Sequence, residues 1–148
     1  MDISLNQQLL RENTVWLRQR YEKIDQYRQI TKRILKAIDK AAQDYKQFGL
    51  ICEQQQDNAL HLIWQKHTYR IRGVVTLIPT PFTASPAMNA LIGVIEVVDG
   101  EAPENGIMAT KFDDLGNIKG CVPEEVGQIY INSLLLVLSE QTIDIPLP

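Results

Sequence analysis

Residues Ser4–Phe48 run SLNQQLLRENTVWLRQRYEKIDQYRQITKRILKAIDKAAQDYKQF, an interval with no proline and no glycine anywhere in it. Nothing in such a stretch interrupts a helix, and its apolar spacing asks for one. Leu10, Leu17, Ile24, Thr31, Ile38 and Tyr45 recur every seven residues, and Tyr27, Ile34, Ala41 and Phe48 stand three residues further on. This is the a/d seam of a helix that packs along one stripe. Asn6, Asn13 and Arg20 spoil it in the first half, and a break in the helix would fall at Asn13 and Thr14. Gly49 follows at once, where a left-handed cap is favoured. The spacing predicts one long helix ending at Phe48.

From Leu50 the period shortens to two. ALHLIWQK alternates Leu60, Leu62 and Trp64 with His61, Ile63 and Gln65, and YRIRGVVTLI alternates Tyr69, Ile71, Val75 and Leu77 with Arg70 and Arg72. These segments read as a hairpin turning at His67 and Thr68. LIGVIEVVDG, from Leu91, is apolar on both faces except at Glu96, as a strand inside a sheet would be. Gly73 and Gly93 interrupt strand interiors, where a missing side chain marks a bulge or the close approach of a helix. GEAPENG is a loop by composition, and IMATKF and NIKGC, joined by DDLG, read as a second hairpin.

The last element opens at Pro123, whose missing amide hydrogen suits a first helical position, with Glu124 and Glu125 at the positive end of the dipole. Ile131, Leu134, Leu135, Leu136, Val137 and Leu138 then surround it with apolar side chains, more than one wetted face needs. The expected fold is α+β: a long helix over residues 1–48, then a body over 49–148 with a mainly antiparallel sheet of about five strands and an apolar C-terminal helix.

The segment Thr76–Val94, TLIPTPFTASPAMNALIGV, joins two of those strands. Ser85 and Pro86 suggest a helix cap and first position, with AMNAL as one or two turns. A connection of that length suits strands that are not neighbours, or parallel strands with a crossover. Phe82 and Met88 are its large apolar side chains and could meet a partner.

Composition excludes more than it selects. Two cysteines, Cys52 and Cys121, without CxxC spacing support neither a disulfide framework nor a zinc site. The N-terminal sequence has neither the basic start nor the apolar run of a signal peptide, so a cytoplasmic protein with reduced thiols and no membrane contact is expected. There is no GxSxG, GxGxxG or GxxxxGK[ST]. His61 alternates with apolar strand residues and His67 sits in a turn. Cys121 lies near a helix start, but Glu124 and Glu125 oppose a thiolate there. Asp113 and Asp114 fit a turn better than a metal loop. No catalytic residue, cofactor or metal is expected, and a non-enzymatic role is.

Charge is unevenly distributed. Arg11 to Lys46 hold ten of the fifteen basic residues and five of the eighteen acids, so a basic helix is joined to an acidic body. Arg18, Lys32, Arg33, Lys36 and Lys40 could meet nucleic acid, the main alternative to a solvated face. A third reading is a small-ligand pocket near Trp64, Tyr69 and His61, between sheet and C-terminal helix.

Length favours assembly. A helix of 45 residues is on the order of 65 Å long, whereas a body of roughly 100 residues spans roughly 35 Å. The body cannot cover such a rod. The expectation is therefore a protein-interaction module, whether adaptor, assembly factor or chaperone-like, that meets a second copy or a protein partner through Leu10, Leu17, Ile24, Tyr27, Ile34 and Ile38, with Phe82 and Met88 as a second contact.

Overall fold

A helix of 40 residues, α1 (Ile3–Ala42), lies across one face of an antiparallel sheet and projects beyond it in the computed structural model, which describes residues 3–55, 58–78, 87–97 and 107–139. The helix passes Asn13 and Thr14 without a break. Thr14 satisfies its own hydroxyl by donating to the Leu10 carbonyl one turn back (2.8 Å), so the expected weak point is held within the helix. After Ala42 the winding tightens into a 3₁₀ segment, Gln43–Phe48, which stops at Gly49 in the left-handed conformation (φ 94°).

Five strands follow as a meander in the order β1-β2-β3-β4-β5: β1 (Ile51–Gln55), β2 (Ala59–Trp64), β3 (His67–Ile78), β4 (Ala87–Val97) and β5 (Ile107–Lys111). Leu60, Leu62, Tyr69, Ile71, Ala90, Ile92 and Val94 alternate onto one face and are buried beneath the helices. β4 has a neighbour on each side, as its two apolar faces suggested. Helix α2 (Pro123–Leu138) closes the fold, running beside α1 in the same direction. Arg33 meets Glu124, Ala37 meets Gly127, and Tyr45 meets Asn132.

The close approaches explain the internal glycines. A Cβ on Gly73 would lie 2.6 Å from Thr31 Cγ2, so only glycine lets α1 settle on β3. A Cβ on Gly127 would lie 2.4 Å from the Ala37 carbonyl oxygen, so the two helices approach backbone to backbone at that point.

Four local expectations are corrected. AMNAL is not helical: Ala87 opens β4, and Ile78 pairs with Ala87, so β3 and β4 are antiparallel neighbours rather than strands joined by a crossover. The β2–β3 turn falls at Gln65 and Lys66 (φ 48° and 70°), two residues before the predicted position, with Trp64 opposite His67. NIKGC is no strand. Asp113 Oδ1 accepts from the amides of Leu115 and Asn117, and Ile118 and Cys121 form one isolated bridge, so the chain folds tightly toward α2 instead. The fifth strand is β1, ICEQQ, an edge strand paired only with β2.

Candidate functional site

The residues of the predicted seam fall into two groups. Tyr27, Thr31, Ile34, Ile38 and Ala41 are buried in the chain's own core, with Ile34 and Ile38 at 0% exposure, covered by the sheet and α2. Leu10 and Leu17 are 68% and 42% exposed. Ile24, half-buried, stands where one group gives way to the other. Tyr27, Ile34 and Ile38 are thus filled by intramolecular packing and offer no surface to another chain in this conformation. Met88 is half-buried against the core, and Phe82 lies outside the described residues. The seven predicted contact residues that are described do not converge on one surface.

The boundary has a physical cause. Gln26 Nε2 donates to the Asp114 carbonyl (3.1 Å), Lys23 Nζ is 3.9 Å from Asp114 Oδ2, and the Tyr27 and Phe112 ring centroids are 5.8 Å apart. The turn Asp113–Asn117 is therefore the ledge on which α1 leaves the body. Asp113 holds that turn. Its carboxyl is kept below the usual carboxylate range, first by the Asn117 amide and then by that of Leu115. About one turn outward from Lys23, Arg20 stacks its guanidinium over the Trp16 ring (3.5 Å from the centroid) and donates to the Trp16 carbonyl (3.3 Å).

Beyond that pair the helix carries Leu5, Leu9, Leu10, Val15 and Leu17, and then Tyr21 at the margin, all exposed. Leu10, Leu17 and Tyr21 share one face; Leu5, Leu9 and Trp16 share the adjoining one, continuous with the core stripe. This arm of about 17 residues is about 25 Å long. Leu5, Leu9, Val15 and Tyr21 were not among the predicted contacts, though Leu9 and Trp16 are themselves seven apart. α2 adds a smaller apolar surface: Ile129 and Leu136 are exposed on the side turned away from α1 and the sheet.

The other sequence candidates do not assemble into chemistry. His61 sits on the outer face of the sheet between Glu53 and Arg70, whereas Trp64 and Tyr69 belong to the inner face, so those three residues do not line a common pocket. Trp64 Nε1 donates to Ser139 Oγ (3.1 Å) at the end of α2. Burial, reinforced by Asp39 beside it, pushes the Cys52 thiol up to about 12, so it stays protonated. Cys121 is half-buried and pairs its backbone with Ile118. Among the described residues no helix is long and apolar enough to cross a membrane. Compared with known proteins, the chain matches no family model, and neither curated proteins nor solved structures give a match.

Proposed function

We propose that this protein is a non-enzymatic assembly module that associates with a second copy of itself through the arm of α1. One observation supports the reading: the apolar side chains from Leu5 to Tyr21 stand on a continuous helix, exposed, on the same element whose other half is core. Covering a large apolar side chain contributes about 1.5–3 kcal/mol when complete. Six half-exposed ones therefore favour association by several kcal/mol before the cost of bringing two chains together, about 4–15 kcal/mol, is met. The arm alone gives a modest dimer, and contact with Ile129 and Leu136 of the second copy would strengthen it. Asn13 within the arm's apolar face would fix the pairing register, a role such polar seam residues take in coiled coils.

Sedimentation velocity over a concentration series tests this. The expected result is a mass rising from the 16.9 kDa chain toward twice that value, and its loss in Leu10→Asp/Leu17→Asp. A wild-type chain that stays at the single-chain mass at high concentration overturns self-association. The arm would then belong to a different protein, and the adaptor or chaperone-like form of the reading would be left.

A further inference from the structure

On the flank of α1 away from α2, two hollows adjoin where the helix crosses the end of β2 and the middle of β3. One of about 490 Å³ is walled by Arg28 and Lys32 on the helix side and by Gly73 and Val75 on β3. The other, of about 250 Å³, is walled by Lys32, Lys36, Gln54 and Gln55. Lys32 and Asn58 line both, so the two form one continuous groove. Arg28, Lys32 and Lys36 are four residues apart, and Lys40 continues the row. They form an i, i+4 ridge that places a cation about every 6 Å along the helix axis.

Three further observations give the ridge a purpose. Among the described residues, Arg28, Lys32 and Lys36 have no carboxylate within ion-pairing distance, whereas Lys23 faces Asp114 and Arg33 is paired with Glu124. Asp25 is the single acid among the described lining. The rest of the polar wall is amide: Gln29, Gln54, Gln55 and Asn58, which can donate hydrogen bonds to anionic oxygens without adding charge. No aromatic ring stands among the described lining residues, so nothing there would stack a base.

We propose that this groove binds a linear chain of phosphates laid along α1, with Arg28, Lys32 and Lys36 on one side of the chain and the amides of Gln54 and Asn58 on the other. The chemistry recognised is the repeated phosphoryl charge, which either inorganic polyphosphate or a single-stranded nucleic-acid backbone supplies. The ridge matches a line of charges better than it matches a single compact anion. The site does not depend on the arm of α1 or on self-association.

Fluorescence anisotropy of a labelled oligothymidylate with the full chain, in a salt series and with unlabelled inorganic polyphosphate as competitor, tests the groove. Saturable binding is expected. Lys32→Glu/Lys36→Glu should weaken it at least tenfold and flatten the dependence of log affinity on log salt by about 1.4, two contacts at about 0.7 each. Arg28→Gln, at the start of the ridge, should weaken it severalfold. Arg11→Glu/Arg18→Glu changes the net charge by the same amount away from the groove and should leave it intact, as should Leu10→Asp/Leu17→Asp. Circular dichroism confirms that each variant folds. If polyphosphate displaces the labelled oligonucleotide at a lower phosphate concentration than unlabelled oligothymidylate does, the free polyanion is the source; the opposite order assigns nucleic acid. Absence of saturable binding at low salt overturns the proposal. So does equal weakening by the two charge-reversed pairs, or competition by polyglutamate as strong as by polyphosphate, which would make the groove a site for an acidic peptide.

Discussion

The two halves of α1 carry the same seven-residue spacing and meet opposite fates. From Tyr27 to Ala41 the stripe is core, with Gly73 and Gly127 stripped of side chains so that β3 and α2 can press against it. From Leu5 to Tyr21 every apolar side chain except the half-buried Trp16 stays exposed. Periodicity therefore states a demand for cover without saying who meets it. The supplier is set by where the body stops, and it stops at the Asp113–Asn117 turn, some 90 residues later in the chain.

Because of that division, substitutions in the two halves act on different observables. The largest effect is expected at Ile38, which is fully enclosed. Ile38→Asp places a carboxylate where no water reaches and should abolish the cooperative urea transition followed by circular dichroism, since burying an unpaired charge costs several kcal/mol. A folded Ile38→Asp chain that merely lost mass in sedimentation would erase the distinction. Next is Gly127→Ala, whose new methyl meets the Ala37 carbonyl oxygen. It should lower the unfolding free energy by about 1–3 kcal/mol, a typical cost of overpacking.

In the arm the order reverses. Leu10→Asp/Leu17→Asp should leave the unfolding free energy, measured at high dilution, within about 0.5 kcal/mol of wild type, while removing the concentration dependence of mass. A large loss of stability at high dilution would mean that the arm is covered by its own chain.

The smallest expected effect is a dependence on acid. The hydrogen-bonded Arg33 guanidinium holds the Glu124 carboxyl below its ordinary value, and backbone amides, that of Asn117 first, do the same for Asp113. Both groups bind their proton less readily folded than unfolded. Their contribution is therefore complete above the unfolded values of about 4 and is lost as pH falls through the lower folded values. Urea midpoints between neutral and strongly acidic pH should fall along that slope, and Glu124→Gln and Asp113→Asn should each flatten it.

Legibility followed the strength of local chemistry. The long helix was plain because nothing between Ser4 and Phe48 opposes it, and α2 was plain from Pro123 and the leucines behind it. Gly73 announced the close approach that Thr31 makes. The β2–β3 turn was misplaced because Gln65 and Lys66 adopt positive φ without the glycine or asparagine that advertises it. β1 was missed because an edge strand with one wetted face needs few apolar residues, and ICEQQ has few. NIKGC resembles a strand in composition, but the amides held by Asp113 and the left-handed Gly116 and Gly120 bend it first.

The groove was partly legible too. Arg28, Lys32, Lys36 and Lys40 announce a ridge by their spacing, but Gln54 and Asn58 arrive across the fold. The arm's contact surface was half legible for the same reason: Leu10 and Leu17 carry the spacing, and only the position of the ledge separates them from Ile34 and Ile38.

The seat of α1 on Gly127 also acts at a distance. A rigid rod fixed at one place turns a small tilt there into a large sweep at its far end, and about 10° of rotation at Ala37 moves Leu5, roughly 48 Å along the rod, by roughly 8 Å. That is close to the spacing between the axes of two packed helices. The absent side chain at Gly127 thus sets where Leu5 and Leu9 point, and a single carbon added there would steer the protein's most remote residues away from whatever they are aimed at.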